Sequence, residues 1–296
     1  MSNQADSLRQ LVRKTVQEHP ALEPGVPTWV LSGGKPGVGT STVSLQLALE
    51  LASLGKRAVL VDANPSQPDL TRRYVESPSG SLSDVLSGKR SIAEVLTPIS
   101  DRVRFLPGRW DPNSPPELHR VAVKRFLDEI RRLHSHADVV LLDAGDGMSP
   151  WVQCLWKAAQ QILLVTTTEA AAVTKSYATI KLAPWGDVDG KLRLVVNRAP
   201  EPPAADQIGN NFAATCRQFL GVKVGPHAMI TKDETLKSSS ENSRMGSKSR
   251  GFTQSVRWLA ADLLCTSMVL ASPTELRRAQ DAAGSPVAKK ALQKSN

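Results

Sequence analysis

The chain of 296 residues contains little cysteine, little tyrosine and no long apolar stretch. Its three cysteines, Cys154, Cys216 and Cys265, lie far apart, and none has a histidine at metal-ligand spacing, which argues against a disulfide framework or a zinc site. No apolar run approaches the ~20 residues needed to cross a bilayer. The polar start of the chain is not typical of a secretory signal. We therefore expect a cytoplasmic protein with buried free thiols.

The charge is strongly one-sided, because 37 basic residues outnumber 28 acidic ones and give a formal net charge of +9. Such an excess favours contact with an anionic membrane surface, nucleic acid or an acidic partner, although a solvated basic surface explains it equally well. The sequence has no helix-turn-helix signature and no basic residues interleaved with aromatic ones. We therefore predict no specific nucleic-acid binding and keep peripheral membrane contact as an open expectation.

Apolar runs alternate with helical patterns over most of the chain. Strands are predicted at residues 28–32, 57–62, 102–107, 138–143, 161–167 and 192–197. Helices are predicted at residues 41–54, 116–133, 170–182, 204–219 and 253–270. Continuous apolar strands are typical of a parallel sheet covered by helices on both faces. The fold class predicted is a doubly wound, mostly parallel α/β domain.

Four segments make up the predicted domain organisation. An N-terminal helix occupies residues 1–19, and a proline-rich linker follows at 20–27. The α/β domain extends over 28–270, and a flexible basic tail ends the chain at 271–296. The Ser/Gly-rich stretch 237–251 is predicted to be a surface loop within the domain.

A glycine-rich turn, GGKPGVGTST, follows the first predicted strand. Gly34, Gly39, Thr40 and Ser41 occupy the positions of a phosphate-binding loop in which Thr40 replaces the usual lysine. Backbone N–H groups and a helix N-terminus can hold phosphate oxygens without a side chain. The nucleotide-binding residues predicted from this stretch are Gly34, Lys35, Gly37, Val38, Gly39, Thr40, Ser41 and Thr42.

Two other interpretations of the turn stay open. A dinucleotide fingerprint would use Gly37 and Gly39 with Asp62 after the next strand, but the strand ends too early and Thr42 takes the third glycine position. The other interpretation is a tight turn without a ligand.

Two aspartates end predicted strands at the edge where the loop lies. Asp62 ends the second strand and Asp143 ends the fourth. Carboxylates at this edge face the ligand crevice of a parallel sheet and, together with the Ser41 hydroxyl, can hold Mg²⁺ through water. The alternative is that each aspartate caps the helix that follows.

The segments GGKPGVGTST, VLVDANP, VVLLDAGDG and VVNRA resemble the MinD/ParA group of deviant-Walker ATPases over about residues 28–270. The resemblance implies ATP and Mg²⁺ as ligands and an ATP-dependent homodimer. It makes Lys35 the signature lysine that reaches the phosphates bound by the partner subunit, and it makes Asn197 an adenine contact.

Two departures from that group affect the expected chemistry. Thr40 stands where the loop lysine is expected, and the group's D-x-D pair falls on Asp62 and Asn64. Asn64 hydrogen-bonds a water molecule but cannot take its proton. We therefore predict weak nucleotide binding with little or no hydrolysis, and we assign no catalytic residue.

Three branches of the group resemble parts of the chain. Residues 81–96 and 105–118 are similar to bacterial tyrosine kinases of polysaccharide export, but the tyrosine cluster of those kinases is missing, since the chain contains only Tyr74 and Tyr177. The loop GVGTS and VDANP are similar to BcsQ of cellulose synthesis. Residues 163–181, 195–199 and 212–222 are similar to FlhG (YlxH), which controls flagellar placement and number.

The start of the chain is also similar to FlhG, whose N-terminal activator helix has the pattern D-Q-A-x-x-L-R. The matching residues here are Gln4, Ala5, Leu8 and Arg9. The resemblance implies that this helix stimulates an FlhF-type GTPase of the signal-recognition-particle class, with Gln4 directed at the catalytic water and Leu8 anchoring the helix. The alternative is a helix that folds back on its own domain. The function expected is an FlhG-like regulator, with an active positioning or BcsQ-like ATPase as the alternative.

Overall fold

Strands and helices alternate through the parts of the chain that the computed structural model describes, which are residues 25–64, 67–75, 79–108, 120–183, 190–232 and 249–270. The strands are β1 Thr28–Gly33, β2 Ala58–Asp62, β3 Thr97–Ser100, β4 Val103–Leu106, β5 Val139–Asp146, β6 Gln161–Thr167, β7 Leu192–Ala199 and β8 Ala228–Thr231. The helices are α1 Thr40–Ser53, α2 Asp69–Tyr74, α3 Leu82–Ser87, α4 Ile92–Val95, α5 Arg120–Arg132, α6 Pro150–Ala158, α7 Ala170–Lys181, α8 Pro202–Leu220 and α9 Arg250–Leu270.

The strands form one sheet in the order β3-β4-β2-β5-β1-β6-β7-β8. Every neighbouring pair is parallel except β3 and β4, which are antiparallel. The first strand therefore lies inside the sheet, between β5 and β6. Because the carboxyl ends of the parallel strands meet at one edge, the residues that follow β1, β2 and β5 come together there.

Helices cover both faces of the sheet, and the apolar side chains divide accordingly into two cores. Along β1, Trp29 and Leu31 belong to the core beneath α1 and α9, whereas Val30 belongs to the core beneath α3 to α6 and α8. Successive strand residues point to opposite faces, so a strand buried on both sides must be apolar throughout. This explains why the central strands have continuous apolar sequences.

The predicted fold class is confirmed. All six predicted strands are present with ends within three residues of those expected, and the described parts of the five predicted helices agree equally well. The sequence patterns did not reveal β3, β8, α2, α3, α4 and α6. The two missed strands lie at the sheet edges and have four residues each, which is too short for a clear alternation of apolar residues.

Several predicted segments lie outside the described residues. They are the N-terminal helix, most of the linker and of the predicted loop at 237–251, and the basic tail. The division of the chain into those segments stays a prediction. Among the residues that the structure describes, no helix has the length and apolar character needed to cross a membrane.

Candidate functional site

The phosphate-loop frame connects the central strand to a helix. β1 ends at Gly33 and α1 begins at Thr40. Gly37 and Gly39 have φ angles of 80° and 94°, in the left-handed region that favours glycine. No side chain caps α1 at Gly39, so the N–H groups of its first turn are free of side-chain caps and suit an anionic ligand.

Close packing fixes the shape of this loop. A Cβ atom on Gly34 would lie 2.5 Å from the backbone nitrogen of Ser176 in α7. On the other side, Asn197 Nδ2 donates a hydrogen bond to the Val38 carbonyl at 2.8 Å, and the same nitrogen would lie 2.5 Å from a Cβ on Gly39. The loop is therefore held between α7 and the end of β7.

Asn197 has a structural task that the sequence did not reveal. While its Nδ2 donates to the loop, its Oδ1 accepts a hydrogen bond from the backbone N–H of Arg198 at 2.9 Å. Both polar ends of the amide are thus engaged within the protein. Its contact with adenine stays a prediction, and that contact requires the amide to share or exchange these bonds.

The two predicted acidic residues lie side by side. In the parallel register of β2 and β5, Asp62 is paired with Asp143, and both are fully buried. Asp62 Oδ2 accepts hydrogen bonds from the Thr71 backbone N–H at 2.9 Å and from its hydroxyl at 2.7 Å. Asp143 Oδ1 accepts one from the Gly145 N–H at 3.3 Å. The expectation that these carboxylates meet at one edge of the sheet is therefore met.

Burial raises the pKa of both carboxyl groups. The pKa of Asp62 rises from 3.8 to about 6, mainly through loss of hydration, although the bonds from Thr71 oppose the rise. The pKa of Asp143 rises to about 7 because of burial and the neighbouring Asp62 carboxylate. A cation between them would relieve both effects, since an opposite charge favours the ionised form.

The donor set fits a hydrated magnesium ion. Asp62 Oδ1 and Asp143 Oδ2 are buried and have no hydrogen-bond partner among the residues that the structure describes. The Ser41 side chain lowers the pKa of Asp143. No group of three His, Cys, Asp or Glu side chains forms a cage in the described part of the chain. Mg²⁺ binds through one or two carboxylates and keeps several waters, so this arrangement suits it.

Lys35 points across the loop to the start of α7. Its Nζ lies 2.8 Å from Glu169 Oε2, the residue before that helix, in a pair that is partly exposed. The hydrogen bond and charge of Lys35 lower the pKa of Glu169. In the single chain Lys35 is therefore held by its own subunit, and its role as the signature lysine that reaches a partner subunit stays a prediction.

The two substituted positions are both buried. Thr40 has 7% of its surface exposed, and its Oγ1 lies so close to Gly33 that a Cβ there would be 2.6 Å away. Asn64 Oδ1 accepts a hydrogen bond from the Gln67 N–H at 3.2 Å. Its amide also fills the space that a side chain on Gly145 would need. The side chains that replace a lysine and a carboxylate are thus built into the packing around the loop.

An open cavity of about 340 Å³ lies beside the loop. Of the predicted residues, it is lined by Lys35, Gly37, Gly39, Thr40, Ser41 and Thr42. Four charged lining residues were missed from the sequence, namely Asp69, Arg73, Asp146 and Arg198. Only Arg198 could have been found from the sequence, because it directly follows the predicted site residue Asn197. The other three lie near the loop only because of the way the chain folds.

The predicted partner-activating residues Gln4, Ala5, Leu8 and Arg9 lie outside the described residues. Their role stays a prediction.

Comparison with known proteins agrees with this architecture. The AAA domain family matches residues 28–182, which is just over half of the chain. The antiactivator FleN of Pseudomonas aeruginosa is 28% identical over 214 residues, which cover 72% of this chain and 76% of FleN. The flagellum site-determining protein YlxH of Helicobacter pylori is 27% identical over 177 residues, which cover 58% of each protein.

A tyrosine-protein kinase matches over a shorter share of its length. EpsB of Ralstonia solanacearum is 31% identical over 199 residues, which are 67% of this chain but only 26% of EpsB. The expected similarity to a bacterial tyrosine kinase is thus found over two thirds of this chain, and it leaves most of EpsB unmatched.

A solved structure reproduces the fold. The septum site-determining protein MinD of Pyrococcus horikoshii, complexed with Mg-ADP, superposes with a TM-score of 0.57 at 21% identity, covering 80% of this chain and 96% of MinD. Loop, sheet order and family match agree, and the chain belongs to the AAA domain family as a P-loop ATPase of the MinD/ParA type.

Proposed function

We propose that the chain is an FlhG-like regulator of flagellar placement and number that binds ATP with Mg²⁺ weakly and hydrolyses it little. The match to the flagellum site-determining protein YlxH carries the flagellar part of this proposal, and the longer match to the antiactivator FleN supports a regulatory role. The uncapped start of α1 beside two unpartnered carboxylate oxygens carries the nucleotide part.

The loop would hold the phosphates mainly through its backbone. N–H groups of residues 37–42 and the positive end of α1 bind anions without a lysine. Mg²⁺, held by Ser41 and through water by Asp62 and Asp143, would neutralise phosphate charge. Losing the charge-assisted lysine contact costs about 1.5–3 kcal/mol, or roughly one to two decades in affinity, so weak binding survives.

Hydrolysis has less support from the site. A water molecule beside the γ-phosphate must be aligned and must lose a proton. The Asn64 amide does not accept that proton, and its oxygen already accepts the Gln67 N–H. Nucleotide would then act as a slow structural ligand that stabilises an ATP-dependent homodimer, for which Lys35 must leave Glu169.

The output of the regulator would lie in its N-terminal segment. Gln4 would orient the catalytic water of an FlhF-type GTPase and Leu8 would anchor the segment on that partner. The net charge of +9 supports a contact of the protein with the anionic inner face of the membrane, which keeps the expected location cytoplasmic with peripheral attachment.

Calorimetry of ATP·Mg²⁺ binding, continued after saturation, tests the nucleotide part. We expect binding heat followed by a flat baseline. The double variant Thr40→Lys with Asn64→Asp is the matched control, and it should add sustained heat from turnover. Sustained heat from the natural chain would support the alternative, an active positioning or BcsQ-like ATPase, and that heat should disappear with Asp143→Ala.

Stimulation of a cognate FlhF-type GTPase tests the partner role. The chain of 296 residues should accelerate GTP hydrolysis, and Gln4→Ala should abolish the acceleration while leaving ATP binding unchanged. Equal stimulation by the natural chain and the variant would contradict the role of Gln4. No stimulation by either would remove the GTPase from the proposal.

A further inference from the structure

One arginine beside the phosphate loop has an unusual backbone conformation. Arg198 has a φ of 57° and is the one non-glycine residue with positive φ in the described part of the chain. Arginine carries a Cβ and gains nothing locally from this region, unlike glycine or asparagine. Residues held in this way cluster at binding sites, where the surrounding contacts fix them.

Arg198 is connected to the loop through Asn197. Asn197 Oδ1 accepts the Arg198 N–H at 2.9 Å, and Asn197 Nδ2 donates to the Val38 carbonyl at 2.8 Å. The backbone turn after β7 is thereby tied to the second half of the loop. The Arg198 Nη2 atom lies 3.9 Å from the position that a Cβ on Gly39 would occupy. The turn thus brings a guanidinium next to the glycine that precedes Thr40.

The guanidinium is also available for a ligand. It lines the cavity beside the loop, is exposed to solvent, and has no hydrogen bond to any residue that the structure describes. Lys35 is already paired with Glu169 at 2.8 Å, whereas Arg198 acts on the same carboxylate only through its charge, which also lowers the pKa of Glu169. Arg73 is the other cavity arginine, but it belongs to α2 and has no described bond to the loop.

We propose that Arg198 supplies the positive charge that the loop lacks at Thr40 and binds the nucleotide phosphates beside Gly39. A guanidinium presents a fork of donors that matches two phosphate oxygens. The left-handed backbone conformation of Arg198 then orients its guanidinium toward the loop. This inference rests on the proposed nucleotide binding and adds the residue that sustains it.

Replacing Arg198 with glycine tests the effect of its charge without changing the backbone conformation of the turn. Glycine adopts a φ of 57° without strain, so Arg198→Gly removes the guanidinium and keeps the turn. We expect ATP·Mg²⁺ affinity, measured by calorimetry on the full chain, to fall at least tenfold, whereas adenosine binding stays unchanged. The matched control Arg217→Gln removes an exposed arginine of α8 that does not line the cavity, and it should change affinity less than threefold. Should Arg198→Gly not fold, Arg198→Asn repeats the test, since asparagine tolerates this region.

A second experiment restores the loop lysine with the substitution Thr40→Lys. If Arg198 replaces the loop lysine, Thr40→Lys should recover the lost affinity in the Arg198→Gly background, and it should raise affinity more there than in the natural chain. Such non-additivity is expected of two groups that serve one phosphate site.

Three outcomes would overturn the inference. One is ATP affinity of Arg198→Gly within twofold of the natural chain, which leaves the proposed nucleotide binding intact. Another is an equal loss for ATP and adenosine, which would assign Arg198 to the base. The third is absence of ATP binding by the natural chain, which would refute the proposed nucleotide binding as well.

Discussion

The substitution Asp143→Asn should stabilise the ligand-free protein at alkaline pH. A carboxyl group whose pKa rises from 3.8 to about 7 on folding binds its proton more tightly in the native state. Below about pH 4 the group is protonated in both states and costs nothing. Between about pH 4 and pH 7 the unfolded chain releases this proton while the native state keeps it, so stability falls across that window, and above pH 7 both states are ionised and the penalty levels off. At about 1.36 kcal/mol per pH unit, the full penalty is about 4 kcal/mol.

Urea denaturation at several pH values, with EDTA present to remove divalent cations, measures this effect. The free energy of unfolding of Asp143→Asn should match the natural chain near pH 4 and exceed it by up to about 4 kcal/mol at pH 8. Asp101→Asn, at an exposed position, is the control and should show no such divergence. Adding Mg²⁺ should narrow the gap, because only the natural chain has the carboxylate that the cation compensates.

A natural chain that is equally stable or more stable than Asp143→Asn at pH 8 would refute the reasoning. It would mean that the second carboxylate oxygen, which has no partner among the described residues, is well solvated or paired in solution. The case for a cation between Asp62 and Asp143 would then lose its main support.

Three further predictions concern the packing around the loop. Gly34→Ala places a methyl group 2.5 Å from the backbone of α7 and should destabilise the fold by about 1–3 kcal/mol, measured by urea denaturation. Trp156→Phe removes the indole N–H that donates to the buried Ser32 hydroxyl at 2.8 Å, and it should lower the free energy of unfolding by about 1–3 kcal/mol. The same change at Trp258 of α9, which is 67% exposed, should leave the midpoint of urea denaturation unchanged. Glu169→Gln removes the charge that pairs with Lys35 at 2.8 Å and should increase the ATP-dependent dimer fraction in sedimentation, and an unchanged fraction would show that the pair does not restrain the lysine.

Much of the fold could be predicted because its central strands are buried on both faces. Runs such as residues 139–142 and 162–165 are apolar at every position, and only a sheet covered on two sides requires that. The same logic predicted that Asp62 and Asp143 would meet, because parallel strands bring their carboxyl ends to one edge. The edge strands β3 and β8 were missed because short, half-exposed strands carry no such constraint.

The parts of the site that were missed depend on contacts between distant segments. Nothing in the residues around Asn197 indicates that its amide holds the Val38 carbonyl, 159 positions earlier in the chain. The cavity role of Arg73 likewise depends on α2 lying beside the loop. The type of a residue indicates which bonds its side chain is able to form, but the order of the strands in the sheet determines which partners are near enough to form them.

The glycine loop and the two aspartates differ in what they reveal about a ligand. Gly34 and Gly39 must be glycine because Ser176 and Asn197 approach them too closely for a side chain. Packing alone therefore preserves the loop, and its glycines would persist in a protein that had lost its nucleotide. The aspartates each have one oxygen engaged within the protein, Asp62 by Thr71 and Asp143 by Gly145, but each also keeps a buried carboxylate oxygen without a described partner at a cost to stability. Without a ligand at this edge, uncharged residues at these two positions would make the protein more stable, so the presence of Asp62 and Asp143 is the stronger evidence for a cation and the phosphates it accompanies.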